Sequence, residues 1–323
     1  MTNQLSRMLG ERPWLLADGA MGTNLYNMGL VHGQAPDLWN DSHPDKVRGL
    51  HRQMIASGAD IILTNSFGGN ARRLRVSGAE SRVAEVNLGA ARLAREAVAA
   101  SGRAVIVAGS MGPTGEIMTP VGHLTETEAT EIFTEQAQAL KRGGADILWV
   151  ETVSAIEEMR AAARAAQTVG LPWCGMMSFE PGGRSMMGVS PAQLGALIDR
   201  LPYPPLAYGA NCGTGPAELL LALSGFAASG NERPLIAKPN AGVPRYHDDG
   251  LLYDATPEVM AEFAVLARDM GVRIIGGCCG TTPAHLAAMR DALIRAPRGP
   301  RPSTETIMAR IAAAMAASGP SDE

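Results

Sequence analysis

Short apolar runs alternate with longer stretches of helical spacing along most of the chain. Eight runs rich in Val, Ile and Leu can be read: Trp14–Ala20, Asp60–Phe67, Ala104–Ser110, Asp146–Thr152, Pro172–Phe179, Leu206–Cys212, Pro234–Asn240 and Val272–Cys279. Between them the spacing predicts helices over 44–58, 80–100, 125–142, 155–168, 190–200, 215–228, 256–270 and 282–295. Start signals support several of these: Thr125 precedes Glu128, and Pro191 and Pro257 follow Ser190 and Thr256. Gly58, Gly102, Gly143, Gly170 and Gly271 sit where helices should stop. Strand then helix, eight times over, predicts an α/β fold, a (β/α)8 TIM barrel spanning 1–295. A doubly wound open sheet is the runner-up, but no Gly-x-Gly-x-x-Gly follows the first run.

After Ala296 the texture changes. The segment PRGPRPSTE cannot continue a helix, so 296–323 reads as a linker, a short helix and a tail. Residues 304–317 have amphipathic spacing, with Ile307, Met308, Ile311 and Met315 on one side. That side could pack on its own barrel, or make a homo-oligomer by gripping a second subunit. The final SGPSDE is expected to be disordered.

Composition narrows the function classes. The net charge of −4, with no basic cluster, argues against nucleic acid as a partner. No signal-peptide pattern opens the sequence, and no apolar run is long enough for a membrane span, so a cytoplasmic location is expected. In that reducing setting the four cysteines, at 174, 212, 278 and 279, read as metal ligands or buried thiols, not disulfides.

In a β/α barrel, chemistry gathers at the C-terminal ends of the strands. Asp18, Thr64, Asn65, Glu151, Thr152, Asn211, Cys212, Lys238, Asn240, Cys278 and Cys279 all fall at run ends. Three thiols at one rim, with no fourth Cys or His at short spacing, match a catalytic Zn2+ site with an open position. Cys174, mid-run, reads as a core thiol, and His285, inside a helix, as a solvated or core histidine. Asp18 and Glu151 follow apolar residues into the rim, where an unpaired carboxylate is costly and a substrate ammonium would be a natural partner.

The motifs ADGAMGTNL, GADIILTNSFG, WVETVS, GANCGTGPAELL and GGCCGTTPAHLAAM resemble the homocysteine S-methyltransferase family, in order, over about residues 10–295. The texture is most similar to its bacterial betaine–homocysteine members. The resemblance implies zinc on Cys212, Cys278 and Cys279. It also implies a homocysteine ammonium at Asp18 and Glu151, and a carboxylate near the Gly19 backbone and Thr64, with Asn211 as a further substrate-binding residue. The reaction implied is methyl transfer to homocysteine, forming methionine, from a small onium donor, betaine first. The alternatives are S-methylmethionine or another sulfonium, or a methylcorrinoid carried by a separate protein. Betaine enzymes of the animal type carry tyrosines where this chain has Gly68 and Thr152. Trp39, Tyr26 and Tyr208 are therefore the candidates for a donor cage. Two other classes remain open: a Schiff-base enzyme using Lys238, and a zinc- or thiol-responsive binding protein.

Overall fold

The computed structural model describes residues 3–31, 33–247 and 250–318. Eight parallel strands form one sheet: β1 (Leu15–Leu16), β2 (Ile61–Leu63), β3 (Ile106–Met111), β4 (Ile147–Val153), β5 (Trp173–Met177), β6 (Ala207–Cys212), β7 (Leu235–Pro239) and β8 (Ile274–Ile275). Each pairs with its sequence neighbour, and β8 pairs with β1. A parallel bridge between Ala17 and Ile61, with Asp18 N–H donating to the Ile61 carbonyl at 3.0 Å, closes β1 against β2. The fold is the expected TIM barrel. Most strands are shorter than the apolar runs they fall in, because run ends leave the ladder and become the rim; β3 and β4 instead end one residue past their runs, at Met111 and Val153.

The period-two alternation of strands divides the core in two. Leu15, Ile61, Ile106, Ile147, Cys174, Ala207, Ile236 and Ile274 fill the barrel interior. Leu16, Ile62, Val107, Leu148, Trp173, Tyr208 and Ile275 face the surrounding helices. Helix Gln4–Glu11, capped by the Asn3 side chain, inserts Leu5, Met8 and Leu9 into the same cluster as the interior residues. It was not anticipated from the run pattern; its eight residues carry only three buried apolar side chains.

Three further pieces were not anticipated. Helix Gly22–Asn27 and helix Trp39–Ser42 interrupt the long connection after β1. An antiparallel hairpin, Pro244–His247 with Gly250–Tyr253, follows β7. The expected C-terminal helix is present as Thr304–Ala317. Its Ile307 and Ile311 are buried in the main core, and Arg310 pairs with Glu262 of the barrel helix Pro257–Asp269. Met308 and Met315, expected on the same side, are exposed, because they lie off the stripe that meets the barrel. The apolar stripe of the proposed oligomer arm is thus spent on its own barrel. Beyond Ser318, the expected disordered tail lies outside the described residues.

Candidate functional site

Follow the inward-facing positions one step beyond the apolar layer and the chemistry changes. Ala108 gives way to Ser110 on β3, Trp149 to Glu151 on β4, Gly209 to Asn211 on β6, and Ile236 to Lys238 on β7. All four are buried. The top layer of the barrel is therefore polar, and it floors a cavity of about 470 Å3 lined by Gly19, Thr64, Ser110, Glu151, Thr152, Lys238 and the three rim cysteines.

Cys212, Cys278 and Cys279 bring their sulfurs within 4.8 Å of one another, although 66 residues separate the first two. Among the described residues this is the group of His, Cys, Asp and Glu side chains arranged to hold a metal. With Zn–S bonds of about 2.3 Å, neighbouring sulfurs of a tetrahedron lie about 3.8 Å apart; Cys212 and Cys278 stand closer, at 3.0 Å, so a zinc ion would spread this pair within a cluster that otherwise has the reach. Protonation points the same way. Hydrogen bonding to Cys278 and Cys279, with burial, pushes the Cys212 thiol well up. Hydrogen bonds from Cys212 and Cys278 hold Cys279 well down. Three crowded sulfurs cannot all ionise unaided, and a dication removes that conflict.

The backbone is bent to make this cluster. Cys212 has φ 59° and Thr152 has φ 63°, left-handed conformations that cost non-glycine residues energy and persist where surrounding bonds enforce them. Asn211 supplies those bonds. Its Oδ1 accepts from Thr152 N–H at 2.8 Å, and its Nδ2 donates to Thr152 Oγ1 at 2.8 Å and to Cys212 Sγ at 3.4 Å. Asn240 Oδ1 accepts from Cys279 N–H at 3.1 Å. Asn211, expected to bind substrate, lies behind the cavity wall with its amide committed to Thr152 and Cys212, and so acts through those neighbours.

The two acids behave differently. Asp18 accepts from Lys238 Nζ at 2.8 Å and from Leu63 N–H at 2.7 Å, and it lies behind the lining. Its charge is matched by a protein cation, so the expectation of a bare carboxylate facing substrate is corrected for Asp18. Glu151 lines the cavity and accepts a hydrogen bond from Ser110 Oγ at 2.6 Å. Burial, then the nearby Cys278 sulfur, pushes its pKa up to about 8. For Lys238, burial favours the neutral amine, but Asp18 and Glu151 outweigh it and hold the pKa above the ordinary value. A Schiff-base lysine needs a neutral amine.

The remaining expected residues divide. Gly19 lines the cavity so close to Thr281 that a Cβ would meet its carbonyl oxygen at 2.5 Å. Thr64 also lines it, its Oγ1 accepting from Ser110 N–H at 3.0 Å. Tyr26 sits at the mouth with Phe67 and Asp37. Trp39 and Tyr208 do not line this cavity, which corrects their place in a donor cage. Trp39 is buried, stacked on His43 at 4.3 Å. Tyr208 is buried edge-on to Phe226 at 5.3 Å, in the helix layer. An odd number of steps from inward-facing Asn211 turns it outward, a signal the sequence already held. Gly68 is crowded by Asp37: a Cβ would lie 2.8 Å from its Oδ2, so any side chain there requires the Asp37 carboxylate to shift. His285 caps its helix through Thr282, and Cys174 is fully buried.

The family model for homocysteine S-methyltransferases matches residues 15–293. The chain belongs to this family. Methionine synthase of Mycobacterium tuberculosis is 31% identical over 304 residues, covering 89% of this chain. That of Mycobacterium leprae is 30% identical over 308 residues, covering 90%. The chain spans only 25% of the length of each. Among solved structures, the metallated homocysteine methyltransferase MmuM of Escherichia coli matches with a TM-score of 0.76 at 24% identity, covering 90% of this chain and 99% of that one. Its oxidized form matches with a TM-score of 0.73 at 26% identity, again over 90% and 99%. Family membership sets aside the Schiff-base reading. Among the described residues, no helix is long and apolar enough to cross a membrane.

Proposed function

We propose that this homocysteine S-methyltransferase family member is zinc-dependent and moves a methyl group from a small onium compound to homocysteine, giving methionine. The observation that carries the reading is the three-sulfur cluster on the same cavity as an under-compensated Glu151. Zinc on Cys212, Cys278 and Cys279 would take the substrate sulfur at its fourth position and keep it a thiolate near neutral pH. Glu151 takes the substrate ammonium, giving up its proton as the charge arrives. Asp18 contributes through Lys238, and Thr64 and the Gly19 backbone face the substrate carboxylate. Asn211 and Asn240 keep the cysteines in register.

The thiolate forms the new S–C bond as the bond from the methyl to its onium atom breaks, the bonding pair leaving with the donor. The charges cancel, so neither Asp18 nor Glu151 has to act as an acid or base on the reacting atoms. A cationic donor is favoured beside an anionic sulfur-rich centre. Asp37, Tyr26 and Phe67 at the mouth suit a cation, betaine or a sulfonium, without a full aromatic cage. A second reading follows from the match to one quarter of longer methionine synthases: the methyl arrives as a corrinoid on a separate protein. A reducing, cytoplasmic compartment suits the free thiols.

Methionine formation by the zinc-loaded chain with betaine, dimethylsulfonium compounds, S-methylmethionine and methylcobalamin tests this. Onium turnover is expected; activity with the corrinoid alone favours the second reading. Metal binding without turnover on any donor points to a zinc- or thiol-responsive binding protein.

A further inference from the structure

We propose that Lys238 is the specificity-determining cation for the α-carboxylate of the acceptor amino acid; this rests on the homocysteine reading above. The floor of the cavity is crowded with negative charge. Asp18 lies just behind it, Glu151 lines it and becomes negative as it yields its proton to the arriving ammonium, and three thiolates with zinc leave a net charge of about −1. An ammonium is welcome in that field, but a carboxylate is repelled unless a cation offsets it. Lys238, 1% exposed, is the charged base that lines the floor among the described residues; Arg73 lines the same cavity but is exposed.

Its hydrogen bonds give it the means. Nζ donates to the Asp18 carboxylate at 2.8 Å and to the Asp18 carbonyl oxygen at 3.0 Å. An ammonium has three donors. The third has no hydrogen-bond partner among the described residues, and the Trp149 ring lies on one flank, 5.7 Å from Nζ. The carbonyl that Lys238 holds belongs to the same peptide unit as the Gly19 N–H, and Gly19 lines the cavity. A charge-assisted bond to the oxygen of a peptide polarises it and strengthens its N–H as a donor. Lys238 therefore serves a carboxylate directly through its charge and indirectly through Gly19. It also occupies Asp18, which leaves Glu151 to the ammonium, so the two ends of an amino acid are told apart.

Calorimetry on the zinc-loaded protein with homocysteine and with 3-aminopropane-1-thiol, the same molecule without the carboxylate, tests this. The wild type should bind homocysteine about 10- to 100-fold more tightly, the span of one charged hydrogen bond. Lys238→Met should erase most of that ratio by weakening homocysteine alone. The double variant Lys238→Met with Asp18→Asn also removes the carboxylate that Lys238 pairs with, and should show the same loss if the single variant does not fold. Equal binding of the two thiols by the wild type would overturn the proposal. So would equal weakening of both in either variant, which would mean that Lys238 only braces the site. If the wild type binds neither thiol, the acceptor reading itself fails.

Discussion

The two ends of the barrel solve the same problem in opposite ways. At the lower end, Asp60 is 2% exposed, like Asp18 at the upper end. Its Oδ1 pairs with Arg12 at 2.7 Å and Arg103 at 3.4 Å, and its Oδ2 accepts from Leu16 N–H at 3.0 Å. Two cations and a backbone amide surround one carboxylate. At the upper end, Asp18 and Glu151 share a single lysine, and Glu151 makes its hydrogen bond with Ser110. Desolvation costs both ends alike. The lower end offsets the cost with protein charges, and the upper end leaves part of it for a ligand to offset. Compensation marks the stabilising end, and its absence marks the functional one.

The most severe break is at the sulfurs. Cys212→Ser, Cys278→Ser or Cys279→Ser should each lose stoichiometric zinc and about a thousandfold or more of activity, while Cys174→Ala keeps its metal. Metal analysis beside turnover reads this, and full zinc retention in Cys212→Ser would remove that residue from the site. Next, Glu151→Gln should weaken homocysteine binding about 10- to 100-fold, roughly 1.5–3 kcal/mol. An unchanged affinity would mean that the ammonium is held elsewhere.

Asp60→Asn should do the converse. It is expected to cost about 1–2 kcal/mol of stability, its arginine partners being partly exposed, with homocysteine affinity unchanged. A thermal melt and a binding isotherm separate the two effects. A further effect is in pH. Glu151 has a folded pKa of about 8, raised from 4.5. Between those values the folded chain binds the extra proton, so stability falls as pH rises, by up to about 1.4 kcal/mol per unit. The wild type without homocysteine should therefore lose melting temperature between pH 6 and 8 faster than Glu151→Gln. Parallel curves would show that Glu151 is not under-compensated.

The eight runs and the three rim cysteines were legible because periodicity and strand-end placement are local properties. Pairing across the barrel was not. Asp18 and Lys238 are 220 residues apart, and nothing near Asp18 in the chain announces its partner. The outward turn of Tyr208 was legible from strand alternation. The burial of Trp39 depended on helix Trp39–Ser42, which the loop-like composition before it concealed. The hairpin after β7 was hidden for the same reason, since PNAGVP reads as a turn and the strands beyond it are four residues each.

The most direct test of a homocysteine sulfur on a three-cysteine metal uses cobalt(II) in place of zinc, because cobalt reports its ligands by absorption. Adding homocysteine should intensify the sulfur-to-cobalt bands by one further thiolate, and homoserine, which lacks the sulfur, should not. A spectrum that stays unchanged while calorimetry shows homocysteine bound would contradict it.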